Sequence, residues 1–379
     1  MKFLDLQREN APYAEELKRV AAEVIDSGWF LQGERVASFE QQLCSYLGCR
    51  YAVAVGNGLD ALRLILKAYI ELGVMQEGDE IIVPANTYIA TVLAVTDNRL
   101  VPVFAEPDER TLNLNIHHLE HLITSRTRAV MPVHLYGRSC WGEPLKELAG
   151  KYRLKIIEDN AQAMGARSRV PGLSGSCMSG ALGDAAGNSF YPSKNLGALG
   201  DAGAVTTSDA ELAEVVRALA NYGSHRKYYN RYQGFNSRMD ELQAAFLSVK
   251  LNYLDAENAK RRDCASFYSK LLKDTPLVLP ESAGEEHVWH QYIVRCGERD
   301  RLQEWLHSQH VDTQIHYPVP PHKQSCYPRY NHLQFPLTER LSQEMLSLPI
   351  APGMTVEELS FVAESVCRFC MGRELSQNK

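Results

Sequence analysis

Two neighbouring stretches decide the fold: KIIEDNAQA at 155–163 and SFYPSKNLGALGDAGA at 189–204. Each follows or contains a short apolar run that gives way abruptly to polar and small residues, the pattern of a buried parallel strand passing into a loop at its carboxyl end. The first places Glu158 and Asp159 at that end. The second places Lys194 in a loop of small residues that also holds Gly197, Gly200 and Asp201. Working outward, further β-rich runs occur at 51–55, 80–83, 101–104, 129–133, 187–190 and 204–206, which with 155–158 make seven. Helical patterns separate them, and one of these (59–72) has apolar residues around nearly its whole circumference, as a helix buried on several sides requires. This alternation predicts an α/β fold with a mostly parallel seven-stranded sheet covered on both faces. Near Met239 the pattern changes to one long helical stretch running to about Leu272, with Pro276 and Pro280 beyond it and mixed short strands and helices after that. Two domains are expected: a large one over 1–240, and a connecting helix with a smaller α+β carboxy-terminal domain over 241–379.

Composition narrows the function. With 45% hydrophobic and 23% charged residues, the 379-residue chain has the balance of a packed globular protein, which excludes disordered, collagen and coiled-coil classes. Forty basic against 46 acidic residues, net −6 and without long runs, give no basic face for nucleic acid. The most apolar stretch, 81–95, is interrupted by Pro84, Asn86 and two threonines and falls short of the ~20 apolar residues of a spanning helix, so no membrane contact is expected. MKFLDLQREN lacks the apolar core of a signal peptide. Nine scattered cysteines do not make a disulfide framework, and the lone C-x-x-C of Cys367 and Cys370 reads as helix packing rather than a metal site. A cytoplasmic protein without metal is the expectation.

Gly56-Asn57-Gly58-Leu59-Asp60-Ala61 follows a strand and opens a helix. It fits the dinucleotide pattern G-x-G-x-x-A, yet its physics serves any phosphate: glycines admit the ligand, and the helix start offers unpaired N–H groups. A nicotinamide dinucleotide also requires an acid at the end of the second strand. Here that strand (EIIV, 80–83) runs into PANTY, and Glu77, Asp79 and Glu80 precede its end. The lysine, the aspartate and the glycine turn together suit pyridoxal phosphate, which needs a lysine for its aldehyde, a carboxylate at its ring nitrogen and a cradle for its phosphate. Lys194 and Asp159 would fill the first two roles. The turn at Asn57 and Gly58 and the Ser189 hydroxyl would hold phosphate. Tyr88 could stack on the ring, with core packing as its alternative.

These residues lie in a sequence that resembles the DegT/DnrJ/EryC1/StrS sugar aminotransferases of fold type I over essentially its whole length. The resemblance runs through FLDLQRENAPYAEEL, SGWFLQGERVASFE, GNGLDALRL, PANTYIAT, PVHLYG and EDNAQA. It continues through SFYPSKNLGALGDAGA, NYGSHRKYYNRYQGFNSRMDELQAAFL, YPVPPH and LPIAPGMT. It implies that Lys194 bonds the cofactor aldehyde and then moves the substrate proton, that Asp159 pairs with the pyridine nitrogen, and that Gln162 approaches the phenolic oxygen. Tyr88 takes the stacking position, and Asn57, Gly58 and Ser189 contact phosphate. Asn236 matches the asparagine that reaches the neighbouring subunit's cofactor, implying a homodimer with shared sites. The lysine at 194, where a dehydrating minority of the family has histidine, implies transamination. GNGLDAL, GWFLQGERVASFE and NYGSHRKYYN are similar to enzymes that act on dTDP-linked 3-keto-6-deoxyhexoses with L-glutamate as amine donor. The alternative within the class is a 4-aminotransferase on a dTDP- or UDP-linked sugar. Tyr191, His225, Tyr317 and His322 are candidates for the sugar pocket, each with packing as the competing role. A nicotinamide oxidoreductase and a non-catalytic regulator remain weaker readings from other classes; Lys194 and Asp159 stand against both.

Overall fold

The computed structural model describes residues 1–169 and 175–377. Seven strands form one sheet: β1 Tyr51–Val55, β2 Glu80–Pro84, β3 Val101–Ala105, β4 Thr127–Val130, β5 Lys155–Asp159, β6 Ala185–Ser189 and β7 Gly203–Thr207. Their spatial order is β1-β7-β6-β5-β4-β2-β3. All pairs are parallel except those of β7, which runs against both neighbours, with Gly203 opposite Val55 on one side and Ser189 on the other. A reversed strand presents its first residue where the parallel strands present their last. Gly203 therefore joins Val55, Asp159 and Ser189 along one edge of the sheet, the edge where ligands of open α/β sheets bind.

The helix Gly58–Glu71 fulfils its all-round apolar pattern: Ala61, Leu62, Leu64, Ile65, Leu66, Ala68 and Tyr69 are all buried, in a core shared with the sheet and the helices Ile89–Asp97 and Ala210–Ala220. Two elements depart from the sequence expectation. The fourth strand ends at Val130, because Pro132 has no N–H for the ladder and beyond it only Val133 bridges, to Asp159. The long stretch after Met239 divides into the helices Glu241–Leu251 and Leu254–Leu272. No Gly or Pro marks that break. It falls where Tyr253 leaves the helix to pack its ring 4.7 Å from that of Tyr13, a contact between segments far apart in sequence.

A second core lies around the helix Leu254–Leu272, the antiparallel pair Tyr292–Arg295 and Met345–Leu348, and the helices Arg299–Ser308 and Val356–Gln377. The first residues of the chain are tied to it. Met1 O accepts from Asp312 N at 3.0 Å, and Arg8 Nη1 meets both carboxylate oxygens of Glu358 at 2.7 and 2.9 Å. Among the described residues no helix is long and apolar enough to cross a membrane.

One buried carboxylate fastens the start of the helix Glu34–Leu47. Gly33 stands at its N-cap with no side chain to offer. Glu241, 2% exposed, accepts instead from Gly33 N at 2.8 Å, Arg35 N at 2.9 Å and Val36 N at 3.2 Å. Glu241→Ala strands those donors in a buried place and is expected to cost about 3 kcal/mol, the scale of charge-assisted bonds lost from the interior. Urea denaturation of the two proteins measures it. An unchanged midpoint would mean that water or another group caps the helix.

Candidate active site

The phosphate-type turn is built by three strand ends. Gly56 N donates to Ser237 Oγ at 3.1 Å. Asn57 is extended, and its Oδ1 accepts from Asp60 N at 2.8 Å, so the side chain caps the helix. Gly58 and Leu59 then keep first-turn N–H groups that have no acceptor within the helix and sit at its positive end. Asp60 braces the turn from behind, accepting from Ser237 Oγ at 2.8 Å and Asn57 Nδ2 at 3.2 Å. The glycines are there for space. A Cβ on Gly58 would stand 2.5 Å from Ser189 Cβ, and one on Gly203 would stand 2.4 Å from the Asn57 carbonyl carbon. The second strand ends in Pro84 without an acid, as read from the sequence.

The central strand β5 ends in two carboxylates with different duties. Glu158 is fully buried and accepts from Gly180 N, Leu182 N and Gly183 N at 2.7–2.8 Å. His134 Nε2 lies 2.7 Å from it. Because Cys140 N donates to His134 Nδ1 at 2.8 Å, the imidazole proton is on Nε2 and is given to Glu158. Asp159 instead lines the cavity. Its Oδ2 accepts from Thr91 Oγ1 at 2.7 Å and its Oδ1 from Ala161 N at 3.2 Å. Burial raises its pKa against the pull of these donors and of the Lys194 charge. A cation placed against Asp159 would return it to an ordinary carboxylate.

Lys194 lines the same cavity, which measures about 590 Å³. Its loop is folded tightly on itself: Lys194 N donates to Tyr191 O and Ala198 N to Phe190 O, both at 2.8 Å. A Cβ on Gly197 would lie 2.4 Å from Pro192 O. Asn195 pins the loop to the second core by donating to Asn258 Oδ1 at 2.8 Å and Val288 O at 2.9 Å. Burial lowers the Lys194 pKa to about 8, partly offset by the Asp159 charge. The amine thus gives up its proton much nearer neutrality than an ordinary lysine does, as a nucleophile or proton carrier requires.

Tyr88, Gln162 and Tyr317 make a third wall. Gln162 Oε1 accepts from Tyr136 N at 2.6 Å and its Nε2 donates to Tyr317 Oη at 3.0 Å. The Tyr317 ring lies 5.1 Å from that of Tyr88. Ser189 and Tyr191 also line the cavity. Three sequence candidates are elsewhere. His322 is fully buried, 3.0 Å from Glu339 Oε1 and packed on Phe104 and Phe335, so it is a core histidine and not part of the pocket wall. His225 stands exposed in the hairpin Ser224–Arg226/Tyr229–Asn230, its ring against Tyr229. Asn236 is exposed outside its own chain's cavity, its backbone bridged to Asn221.

The structure adds His290, His316 and Arg261 to the cavity wall. His290 Nδ1 donates to Asn195 Oδ1 at 3.1 Å. Burial, with the charges of Lys194 and Arg261, holds this ring neutral. His316 bonds Ser347 Oγ at 2.7 Å and is pushed down to about 4 by burial. All three come from the second core, where no local motif marks them.

A profile of the DegT/DnrJ/EryC1/StrS aminotransferase family matches residues 12–367. The chain belongs to that family. It is 50% identical over 368 residues, 97% of this chain and 99% of the relative, to the dTDP-3-amino-3,6-dideoxy-alpha-D-galactopyranose transaminase of Aneurinibacillus thermoaerophilus. Among solved structures it resembles DesV of S. venezuelae with a TM-score of 0.91 and 41% identity, covering 97% of this chain and 98% of that one. It also resembles NtdA of Bacillus subtilis, solved with bound pyridoxamine phosphate, at TM-score 0.88 and 32% identity over 97% and 84% of the two chains. This aminotransferase thus has the α/β architecture with a seven-stranded, mostly parallel sheet that its sequence predicts.

In the cofactor-free aminotransferase, Lys194 is expected to react with an acylating reagent at half-maximal rate near pH 8, where its amine loses the proton. Asp159→Asn removes a negative charge that favours the ammonium form, so the midpoint moves further down. Peptide mass mapping across a pH series reads both. A Lys194 midpoint near the ~10.4 of an ordinary lysine would remove the argument for a free-base amine.

Proposed function

We propose that this aminotransferase uses pyridoxal phosphate to move an amino group from L-glutamate to carbon 3 of a dTDP-linked 3-keto-6-deoxyhexose, giving a dTDP-3-amino-3,6-dideoxyhexose. The observation that carries the chemistry is the placement of Lys194 and Asp159 in one cavity beside the Gly58–Ser189–Gly203 cup. The sugar assignment is supported by the full-length identity with a transaminase named for such a product.

The residues fit the cofactor in size, charge and donor set. The cup would take the phosphate on the Gly58 and Leu59 N–H groups and the Ser189 hydroxyl. Asp159 would face the ring nitrogen, Tyr88 the ring, Gln162 the phenolic oxygen, and Lys194 the aldehyde. When bound, the cofactor supplies an electron-accepting ring that acidifies the substrate Cα–H. The protein's part is positional and protonic. Asp159 keeps a positive charge at the ring nitrogen, and the buried Thr91 hydroxyl holds Asp159 in place. Lys194, released as an amine of depressed pKa, takes a proton from one carbon and returns it to another.

We further infer a homodimer in which Asn236 completes the partner's cup. Exposed large apolar side chains support this: Trp29, Phe30, Tyr222, Tyr228 and Phe235 are 42–85% exposed in the single chain, surface of the kind that a subunit contact covers. Tyr191 and Tyr317 would meet the sugar. The division of the chain near residue 240 would separate the sheet from the connecting helix and the smaller carboxy-terminal domain.

Two experiments test this reading. Purified protein mixed with pyridoxal phosphate should develop a visible absorption band that L-glutamate abolishes, and Lys194→Ala should lose turnover by about 10³-fold or more, the range of a missing proton carrier. A band indifferent to glutamate would overturn the transaminase assignment. For the shared site, inactive Lys194→Ala and impaired Asn236→Ala chains are mixed after dissociation. Random pairing should restore roughly a quarter of wild-type activity, since half the dimers then hold one intact site of two. No recovery would place Asn236 outside the partner's site.

A further inference from the structure

Apart from Lys194, Arg261 is the one lysine or arginine lining the cavity among the described residues. It is 5% exposed, and a guanidinium that deep is normally paired with a carboxylate. Here no carboxylate lies within 4 Å of it among the described residues, although Glu9 and Glu257 are near enough to feel its charge. One nitrogen is satisfied by backbone: Nη1 donates to Ile350 O at 3.0 Å and, more weakly, to Trp289 O at 3.5 Å. These two bonds fix the fork on the second core. Nε and Nη2 donate to no acceptor among the described residues, yet they are not sealed in, because neither is among the protein's fully enclosed unpartnered polar atoms. Fixed at one end and open at the other, the guanidinium presents donors in the planar geometry that suits an oxyanion.

Other partners for an anion in the cavity are scarce. His290 and His316 are held neutral by burial. Lys194 is engaged with the cofactor in the proposed reaction. The cup's N–H groups are taken by phosphate. A dicarboxylic amino acid entering this space therefore finds one permanent cation from this chain. The keto sugar carries no carboxylate, and its anionic charge lies on the diphosphate beyond carbon 1 rather than at the carbon that reacts.

We propose that Arg261 is the donor-binding residue, pairing with a carboxylate of the amino-acid substrate and making no charged contact with the keto sugar. This rests on the transaminase reading above and assigns the half-reaction in which Arg261 acts. Arg261 is a binding residue here, with no part in proton movement.

The two half-reactions separate the roles. The holoenzyme is mixed with L-glutamate, and the aminated enzyme with the keto sugar nucleotide, each followed by absorbance in a single turnover. Arg261→Gln is expected to raise the L-glutamate concentration for half-saturation by about 30-fold, the scale of a lost charge-assisted fork, with less than about a twofold change for the sugar. Arg261→Lys keeps charge without the fork and should fall between. Glutarate, which has both carboxylates and no amine, provides a readout without chemistry: calorimetric binding to the holoenzyme should weaken in the same order. Should Arg261→Gln fail to fold, the lysine variant and glutarate still decide. Equal losses in both half-reactions, or unchanged glutarate binding in a folded variant, would overturn the proposal. If wild-type holoenzyme does not respond to L-glutamate at all, the transaminase reading fails instead.

Discussion

The site depends on how one strand end disposes of two adjacent carboxylates. Along β5 successive side chains point to opposite faces, so Glu158 and Asp159 cannot share an environment. Glu158 turns into the interior, where three backbone N–H groups and His134 satisfy it. Those bonds shape the turn at 180–183 and hold the start of β6 against β5. Asp159 is thereby left as the single carboxylate of the pair at the cavity, with two donors on it and room for a cation. Exchanging the roles would put an unsatisfied carboxylate in the core, at a cost of several kcal/mol. The order Glu-Asp is thus a structural requirement as much as a chemical one.

From that edge the remaining geometry follows by strand reversal. Were β7 parallel, its first residue would lie at the far edge of the sheet. Being antiparallel, it brings Gly203 between Asn57 and Ser189, and the chain before it, 190–202, must cross the same edge. That crossing is the Lys194 loop. Hence the amine, the carboxylate and the cup are neighbours although they come from residues 57 to 203. The close approaches at Gly58 and Gly203 show that the three ends are as near as backbones can come.

This also explains what could be read from sequence and what could not. Lys194, Asp159, Ser189 and Gly58 each lie at or just past a strand end, so local pattern and position sufficed. The long helix was misread because its break at Tyr253 answers to Tyr13, a residue some 240 positions away in the chain. The YPVPPH segment shows the same limit within six residues. Tyr317 reaches Gln162 at the cavity, whereas His322, within a short 3-10 turn, is drawn inward by Glu339 and the rings of Phe104 and Phe335. Nothing in the segment distinguishes a polar-tipped residue facing a ligand from one facing the core. His290, His316 and Arg261 gave no signal because the second core, rather than a motif, aims them.

Charge arithmetic ties the two cores together. The cavity wall carries the carboxylates of Asp159 and Asp201, the amine of Lys194 and the guanidinium of Arg261, while its two histidines are neutral. Leaving aside Asp201, which is exposed, the other three groups are net positive with Lys194 protonated and balanced with it free. An anionic phosphate and a dicarboxylate donor are thus drawn to a partly desolvated space where their partners are already fixed, and little reorganisation is needed when they arrive. Each fixed group is held by bonds on its far side: Asp159 by Thr91, Lys194 through its loop and Asn195, Arg261 by Ile350. The sheet supplies the first of these anchors and the second core supplies the last. The lysine loop is bonded to both, so a shift of one core against the other moves the amine relative to the carboxylate that tunes it.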